Sequence, residues 1–115
     1  MSLPIPTEEV EQRHLVQYLE FRHCKFTAIP NSTYTKSWKQ KMKNRDAGLR
    51  AGFPDLVIIA NGRFFCIEMK RQKGGKVTPE QREWHEALQA AGIPVHVCKG
   101  FDEAKQVVDN YLVPS

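Results

Sequence analysis

Gly52-Phe53-Pro54-Asp55-Leu56-Val57-Ile58-Ile59-Ala60-Asn61-Gly62-Arg63-Phe64-Phe65-Cys66-Ile67-Glu68-Met69-Lys70 reads as two apolar strands folded about a tight turn. Asn-Gly is the strongest short-range hairpin signal, because both residues tolerate the positive φ of a two-residue loop. A two-residue loop pairs Ala60 with Arg63. Counting outward, Ile59 then meets Phe64, Val57 meets Cys66 and Asp55 meets Glu68. Directly opposed side chains share a face with Cβ atoms roughly 5 Å apart. Lys70, two residues past Glu68, points to that face as well. Two carboxylates at that separation repel by roughly 3 kcal/mol at an effective dielectric of about 20, a large figure beside ordinary domain stability. A divalent cation with Lys70 beside it would offset the repulsion. A solvated sheet end, or a bulge that breaks the register, would remove the need for one.

The faces of the hairpin are apolar on both sides: Val57, Ile59, Phe64 and Cys66 on one, Leu56, Ile58, Phe65 and Ile67 on the other. A strand pair covered on both sides belongs to an α/β layer arrangement. The elements around it agree. Met1 to Pro6 is an extended arm, and Thr7 is an N-cap with Glu8 and Glu9 in the first turn. The helix that follows runs to about His23. Its apolar face comprises Val10, Leu15, Tyr18, Leu19 and Phe21, with Glu11 near the middle of it. A carboxylate on an inward face needs a cation or a hydrogen-bond partner. Lys25 to Ile29 is a strand closed by Pro30-Asn31. Thr78-Pro79-Glu80-Gln81 opens a second helix with an N-cap, a proline at N1 and a capping-box glutamine. Trp84, Ala87, Leu88 and Ala91 mark its expected buried stripe, and Gly92 with Pro94 ends it. Val95 to Cys98 alternates as a strand. Phe101, Ala104, Val108 and Tyr111 or Leu112 line a last helix.

At 115 residues the chain is expected to form one domain, residues 1–115. Its net charge of +4 hides an asymmetry. Residues 22–76 hold 13 Lys or Arg against three acids, and two of those acids are Asp55 and Glu68. The remainder carries 4 basic and 10 acidic residues. Negative charge is thus scarce where positive charge gathers, except at the opposed pair, a pattern that suits a polyanion held over a metal centre. Residues 32–52 form a long basic loop or insertion, with Tyr34 and Trp38 among its cations. Part of it, about Ser37 to Ala47, has the makings of a helix anchored through Trp38 and Met42. Arg71 to Lys76 is a second basic loop at the same sheet end, and its glycines fit neither a P-loop nor a Rossmann turn. Lys36, Lys39, Lys41, Lys43, Arg45, Arg50, Arg71, Lys73 and Lys76 are candidate phosphate contacts. Cys24, Cys66 and Cys98 lack zinc-ligand spacing and read as reduced thiols. His14, His23, His85 and His96 are scattered and carry no pattern. With no apolar run of transmembrane length and no signal-peptide pattern, the expected setting is cytoplasmic.

The order helix, strand, hairpin, helix, strand, with Gly52-Phe53-Pro54-Asp55, Glu68-Met69-Lys70 and Gln81 in sequence, resembles the PD-(D/E)XK nuclease superfamily. More closely, it is similar to a standalone virus-type replication-repair nuclease (VRR-NUC) domain. The resemblance runs from the Glu11 helix to about Cys98 and implies a restriction-endonuclease-like αβββαβ core with a central mixed sheet flanked by helices. It implies that Asp55 and Glu68 bind metal, that the Met69 backbone carbonyl adds a ligand, and that Glu11 is the acid of the first helix. Lys70 matches the lysine that orients or activates water, Gln81 the glutamine near the site, and Asn31 the Pro-Asn element after the first strand, a candidate DNA contact. The implied activity is a Mg2+- or Mn2+-dependent endodeoxyribonuclease leaving 5′-phosphate and 3′-hydroxyl ends. Standalone members imply a homodimer and a preference for four-way (Holliday) junctions, in recombination, repair or phage genome processing. Three rivals share these residues: a flap or nicking nuclease, a DNA-binding module without chemistry, and an accessory subunit that needs a helicase or replication partner.

Overall fold

The computed structural model describes residues 4–30 and 37–114. In chain order the elements are α1 (Glu8–Phe21), β1 (Lys25–Ala28), α2 (Trp38–Asp46), β2 (Leu56–Ala60), β3 (Arg63–Lys70), α3 (Pro79–Ala90), β4 (Val95–Lys99) and α4 (Phe101–Leu112). The strands form one sheet in the order β1-β2-β3-β4. β1/β2 and β2/β3 are antiparallel and β3/β4 is parallel, so the sheet is mixed, as expected. The hairpin register is the one that the Asn61-Gly62 turn dictates, with Ala60 opposite Arg63 and Val57 opposite Cys66. Both turn residues have positive φ, 53° and 75°, which matches the right-handed twist of the strands they join.

One sheet face carries the core. Leu56, Ile58, Phe65, Ile67 and Met69 are sealed beneath Leu15 and Leu19 of α1 and Ala104 and Val108 of α4. The Phe65 and Tyr111 rings stack with centroids 3.8 Å apart, and the Tyr111 hydroxyl lies 2.8 Å from His96 Nε2. The Tyr18 hydroxyl donates to Asp109, and Arg22 and Lys105 pair with the same carboxylate. This polar clasp holds α1 to α4. Cys24, Cys66 and Cys98 are free thiols. Burial pushes Cys66 up to about 11 and Cys98 up to about 12, so both stay protonated and unreactive. No helix among the described residues is long and apolar enough to cross a membrane.

Four expectations need correction. Phe21 is 74% exposed rather than part of the buried α1 face, because it lies about 120° round the helix from the buried stripe of Glu11, Leu15 and Leu19. The opposite sheet face is covered only in part, leaving Ile59 and Phe64 exposed near the hairpin tip. The inward stripe of α3 is Gln81, Trp84, His85 and Leu88, while Ala87 and Ala91 face outward. The helix at Trp38–Asp46 forms, capped by the Ser37 side chain, but Trp38 and Met42 anchor nothing and stand 73% and 40% exposed. Asn31 and Lys36 lie outside the described residues.

Candidate active site

The half-open sheet face ends at the start of β2 and the end of β3, where Asp55, Glu68 and Lys70 meet. Pro54 is buried and sets the chain extended before Asp55. The Asp55 carbonyl accepts from Ile29 N–H at 2.9 Å, continuing the β1/β2 pairing by one step. Its side-chain Oδ2 crosses to β3 and accepts from Met69 N–H at 2.7 Å. Met69 therefore threads its backbone past the two carboxylates while its side chain fills the core on the other face.

Glu68 and Lys70 are 1% and 6% exposed, and α3 supplies what burial requires. Gln81 Nε2 donates to Glu68 Oε2 at 3.1 Å, and Gln81 Oε1 accepts from Lys70 Nζ at 2.9 Å. The same Oε1 accepts from Thr78 N–H at 2.9 Å while Thr78 Oγ1 accepts from Gln81 N–H at 3.1 Å. Gln81 thus completes its capping box and bridges the two charged groups at once. No buried side-chain nitrogen or oxygen lacks a partner among the described residues.

The two acids are not both ionised. Burial first, then the Asp55 charge and its hydrogen bond, push Glu68 up to about 9, against the opposing pull of Lys70. Glu68 therefore keeps its proton at neutral pH, and the repulsion anticipated from the hairpin register is relieved by a proton held within the pair. An all-oxygen donor set with a displaceable proton fits a hard divalent cation.

His85, one helical turn after Gln81, lies with Nε2 3.4 Å from Glu68 Oε1. Burial, then the Lys70 charge, hold its ring below the ordinary histidine value, so it packs neutral. Sequence reasoning set His85 aside among scattered histidines; its i, i+4 spacing from the capping glutamine was the available signal.

The acid of α1 is a second difference. Glu11 is 3% exposed, in the inward stripe as expected, but its carboxylate turns to Gln72, whose Nε2 lies 3.4 and 3.5 Å from its oxygens. A Cβ at Gly100 would come within 2.5 Å of Glu11 Oε2, so the carboxylate occupies the space a side chain at the start of α4 would need. Among the described residues, no three His, Cys, Asp or Glu side chains group closely enough to hold an ion, and Glu11 does not join Asp55 and Glu68 in such a cluster. The α1 acid whose charge reaches Glu68 is Glu8, one turn nearer the helix start and exposed.

Of the candidate DNA contacts, Lys39, Lys41, Lys43 and Arg45 are exposed on α2 and Arg50 follows it. Arg71, Lys73 and Lys76 are exposed on the loop after β3. Arg71 directly follows Lys70, and residues 47–54 join α2 to Asp55.

The sequence profile of the VRR-NUC domain matches residues 6–102, which include every element from α1 to the start of α4. The chain belongs to the VRR-NUC family. It is a nuclease domain of the PD-(D/E)XK type, and DNA is the substrate that this family assignment implies. A solved VRR_NUC domain protein is similar at 27% identity with a TM-score of 0.77, over 96% of this chain and 91% of that one. A second solved VRR_NUC domain has a TM-score of 0.66 at 21% identity, over 92% and 99% of the two chains. No curated protein matches by sequence.

Proposed function

We propose that this VRR-NUC domain is a Mg2+- or Mn2+-dependent endonuclease that hydrolyses DNA phosphodiesters, acts as a homodimer and prefers four-way junctions. The observation that carries the chemistry is the run Asp55–Glu68–Gln81–Lys70, in which half-buried Asp55 meets Glu68 and one glutamine bridges the buried Glu68 and Lys70. Asp55 and Glu68 would hold the ion with the Met69 carbonyl, and Glu11 is the acid from α1 that the family resemblance adds. A bound divalent ion lowers the pKa of water and stabilises charge on the scissile phosphate and the leaving oxygen.

The chain's own groups do the rest. Glu68 would have to release its proton to solvent in order to hold the ion as a carboxylate. Lys70 spends one N–H on Gln81 and has two left for an attacking water or a phosphate oxygen. Gln81 fixes the distance between Lys70 and Glu68, and His85 closes the inner side of Glu68 against water. The cations of α2 and of the loop after β3 bring the phosphate backbone to these groups.

The dimer and junction preference rest on the similarity to standalone family members. They are supported by exposed apolar residues on one sheet face, Ile59 and Phe64 at the hairpin tip and Val97 beside Glu68. Two sites related by a two-fold axis suit paired nicks in symmetric arms. The setting we propose is cytoplasmic.

The test incubates the protein with a labelled immobile four-way junction and a matched linear duplex, in Mg2+, Mn2+ or EDTA. Paired nicks near the branch, lost in EDTA and in Asp55→Ala and Lys70→Ala, are the expected result. Binding without cleavage in either metal would sink the catalytic reading. A monomer by light scattering at micromolar concentration would sink the dimer.

A further inference from the structure

α2 is the one helix that the hairpin and the carboxylate site do not explain. It carries Trp38 and Met42 as its apolar residues among Lys39, Lys41, Lys43 and Arg45, with Asp46 the single acid. At 100° per residue, Trp38, Met42, Arg45 and Lys41 fall within one arc of about 100°. Lys39 and Lys43 point elsewhere, and Gln40 bonds Asn44 along the helix at 2.8 Å. The arc with the indole is therefore aromatic and cationic, with Asp46 at its rim beyond Met42.

That face opens onto a groove. Trp38, Lys41, Met42, Arg45 and Leu49 line one part of it, and Arg45, Arg50 and Ala51 carry it across to Trp84 and Ala87 of α3. Trp84 Nε1 donates to the Ala51 carbonyl at 3.1 Å, and its ring meets Phe53 edge-on at 5.0 Å. The groove is thus tied to Ala51 and Phe53, in the segment that leads into Pro54 and Asp55. Its α3 wall also carries Glu80 and Glu83, which repel phosphate and leave the α2 wall as the side where phosphates can lie.

We infer that Trp38 is a stacking platform for an unpaired nucleobase of the substrate, with Lys41 and Arg45 holding the flanking phosphates. This narrows the substrate class of the DNA-cleaving reading and rests on it. Two apolar residues make too short a stripe to bury a partner helix. One indole between cations matches a single strand, whose bases stack on aromatic rings in a sequence-tolerant way while its phosphates meet Lys and Arg. A paired duplex hides its base faces and offers Trp38 nothing to stack on. The helix would then select, among branched DNA, branches and strand ends at which bases have come unpaired.

The experiment titrates a fluorescein-labelled duplex carrying a short unpaired segment, and the same duplex fully paired, in EDTA at one salt concentration. Wild type, Trp38→Phe and Trp38→Leu are compared by anisotropy, with thermal melts confirming that all three fold. Trp38→Leu keeps apolar bulk without a π-face. It is expected to weaken binding of the unpaired substrate about tenfold or more and that of the paired duplex less than about twofold, with Trp38→Phe retaining most of the affinity. Equal loss on both substrates, or full affinity in Trp38→Leu, overturns the inference. So does a shift from dimer to monomer in Trp38→Leu by sedimentation with losses that ignore base pairing, because a second copy would then be the occupant.

Cleavage by the wild type in Mg2+ and Mn2+ runs in parallel. Selective loss in Trp38→Leu without cleavage keeps the stacking role and overturns the nuclease reading. Cleavage with unselective variants overturns the stacking role alone. A wild type that binds neither DNA overturns both.

Discussion

Glu68 is where stability and chemistry oppose each other. Its folded value, about 9, lies above the ordinary carboxylate value of 4.5. Between those limits the folded chain holds a proton that the unfolded chain has released. The stability contributed by the protonated group is full below the unfolded value and is lost as pH rises through the folded one. The melting temperature in EDTA should therefore fall from about pH 5 to about pH 9. Glu68→Gln should flatten that slope and raise the melting temperature at the alkaline end while abolishing cleavage. Calorimetry across the pH range decides it; an unchanged slope in the variant would place the titration elsewhere. The same proton must leave when a cation enters, so metal affinity should rise with pH over this window. His85 touches Glu68 without being in reach of substrate, which makes it a positioning residue. His85→Ala should cost about 10–100-fold in Mn2+ affinity, the usual effect of losing an outer-shell partner. Titration calorimetry with Mn2+ checks this, and Asp55→Ala serves as the null-binding control.

Among the elements, α3 organises the site, and its position depends on a glycine in another segment. Gly52 has φ +99°, and a Cβ there would lie 2.6 Å from the carbonyl carbon and oxygen of Glu80, the residue before Gln81. Gly52→Ala combines backbone strain with a collision against helix backbone. The strain alone costs about 1–3 kcal/mol, and relief of the collision pushes the start of α3, with Gln81, off Glu68 and Lys70. Gly48 has φ +104° with nothing within 4 Å of a Cβ, so Gly48→Ala carries the strain without the collision. Thermal melts should show Gly52→Ala the less stable of the two. Its cleavage rate, measured well below the melting temperature, should fall where that of Gly48→Ala does not.

For the whole molecule, the deciding feature is the separation of charge. Along the chain, the cations gather on α2 and on the loop after β3, whereas most acids lie on α1, α3 and α4. Each phosphate contact removed should lower the slope of log affinity against log salt by about 0.7–0.9. Lys41→Ala and Arg45→Ala together should therefore reduce that slope by about 1.4–1.8 for a duplex carrying an unpaired segment. Anisotropy titrations at several salt concentrations measure it. An unchanged slope would mean that α2 is not on the DNA path.

The sequence by itself determined the hairpin and its register, the capped start of α3 and the approach of Asp55 to Glu68. All of these follow from local rules: φ preferences at Asn61-Gly62, alternation along strands, and side chains that satisfy the first turn of a helix. It also placed Glu11 on the inward face of α1, because helical periodicity needs no partner to be read. Only the tertiary structure decided what those residues meet. Glu11 turns to Gln72 and the start of α4 rather than to the paired acids, because the angle at which α1 crosses the sheet depends on packing across elements far apart in sequence. His85 enters the site, Trp38 leaves the core, and the repulsion between Asp55 and Glu68 is relieved by a proton. Periodicity shows which side chains share a face; burial and dielectric depend on what packs against that face.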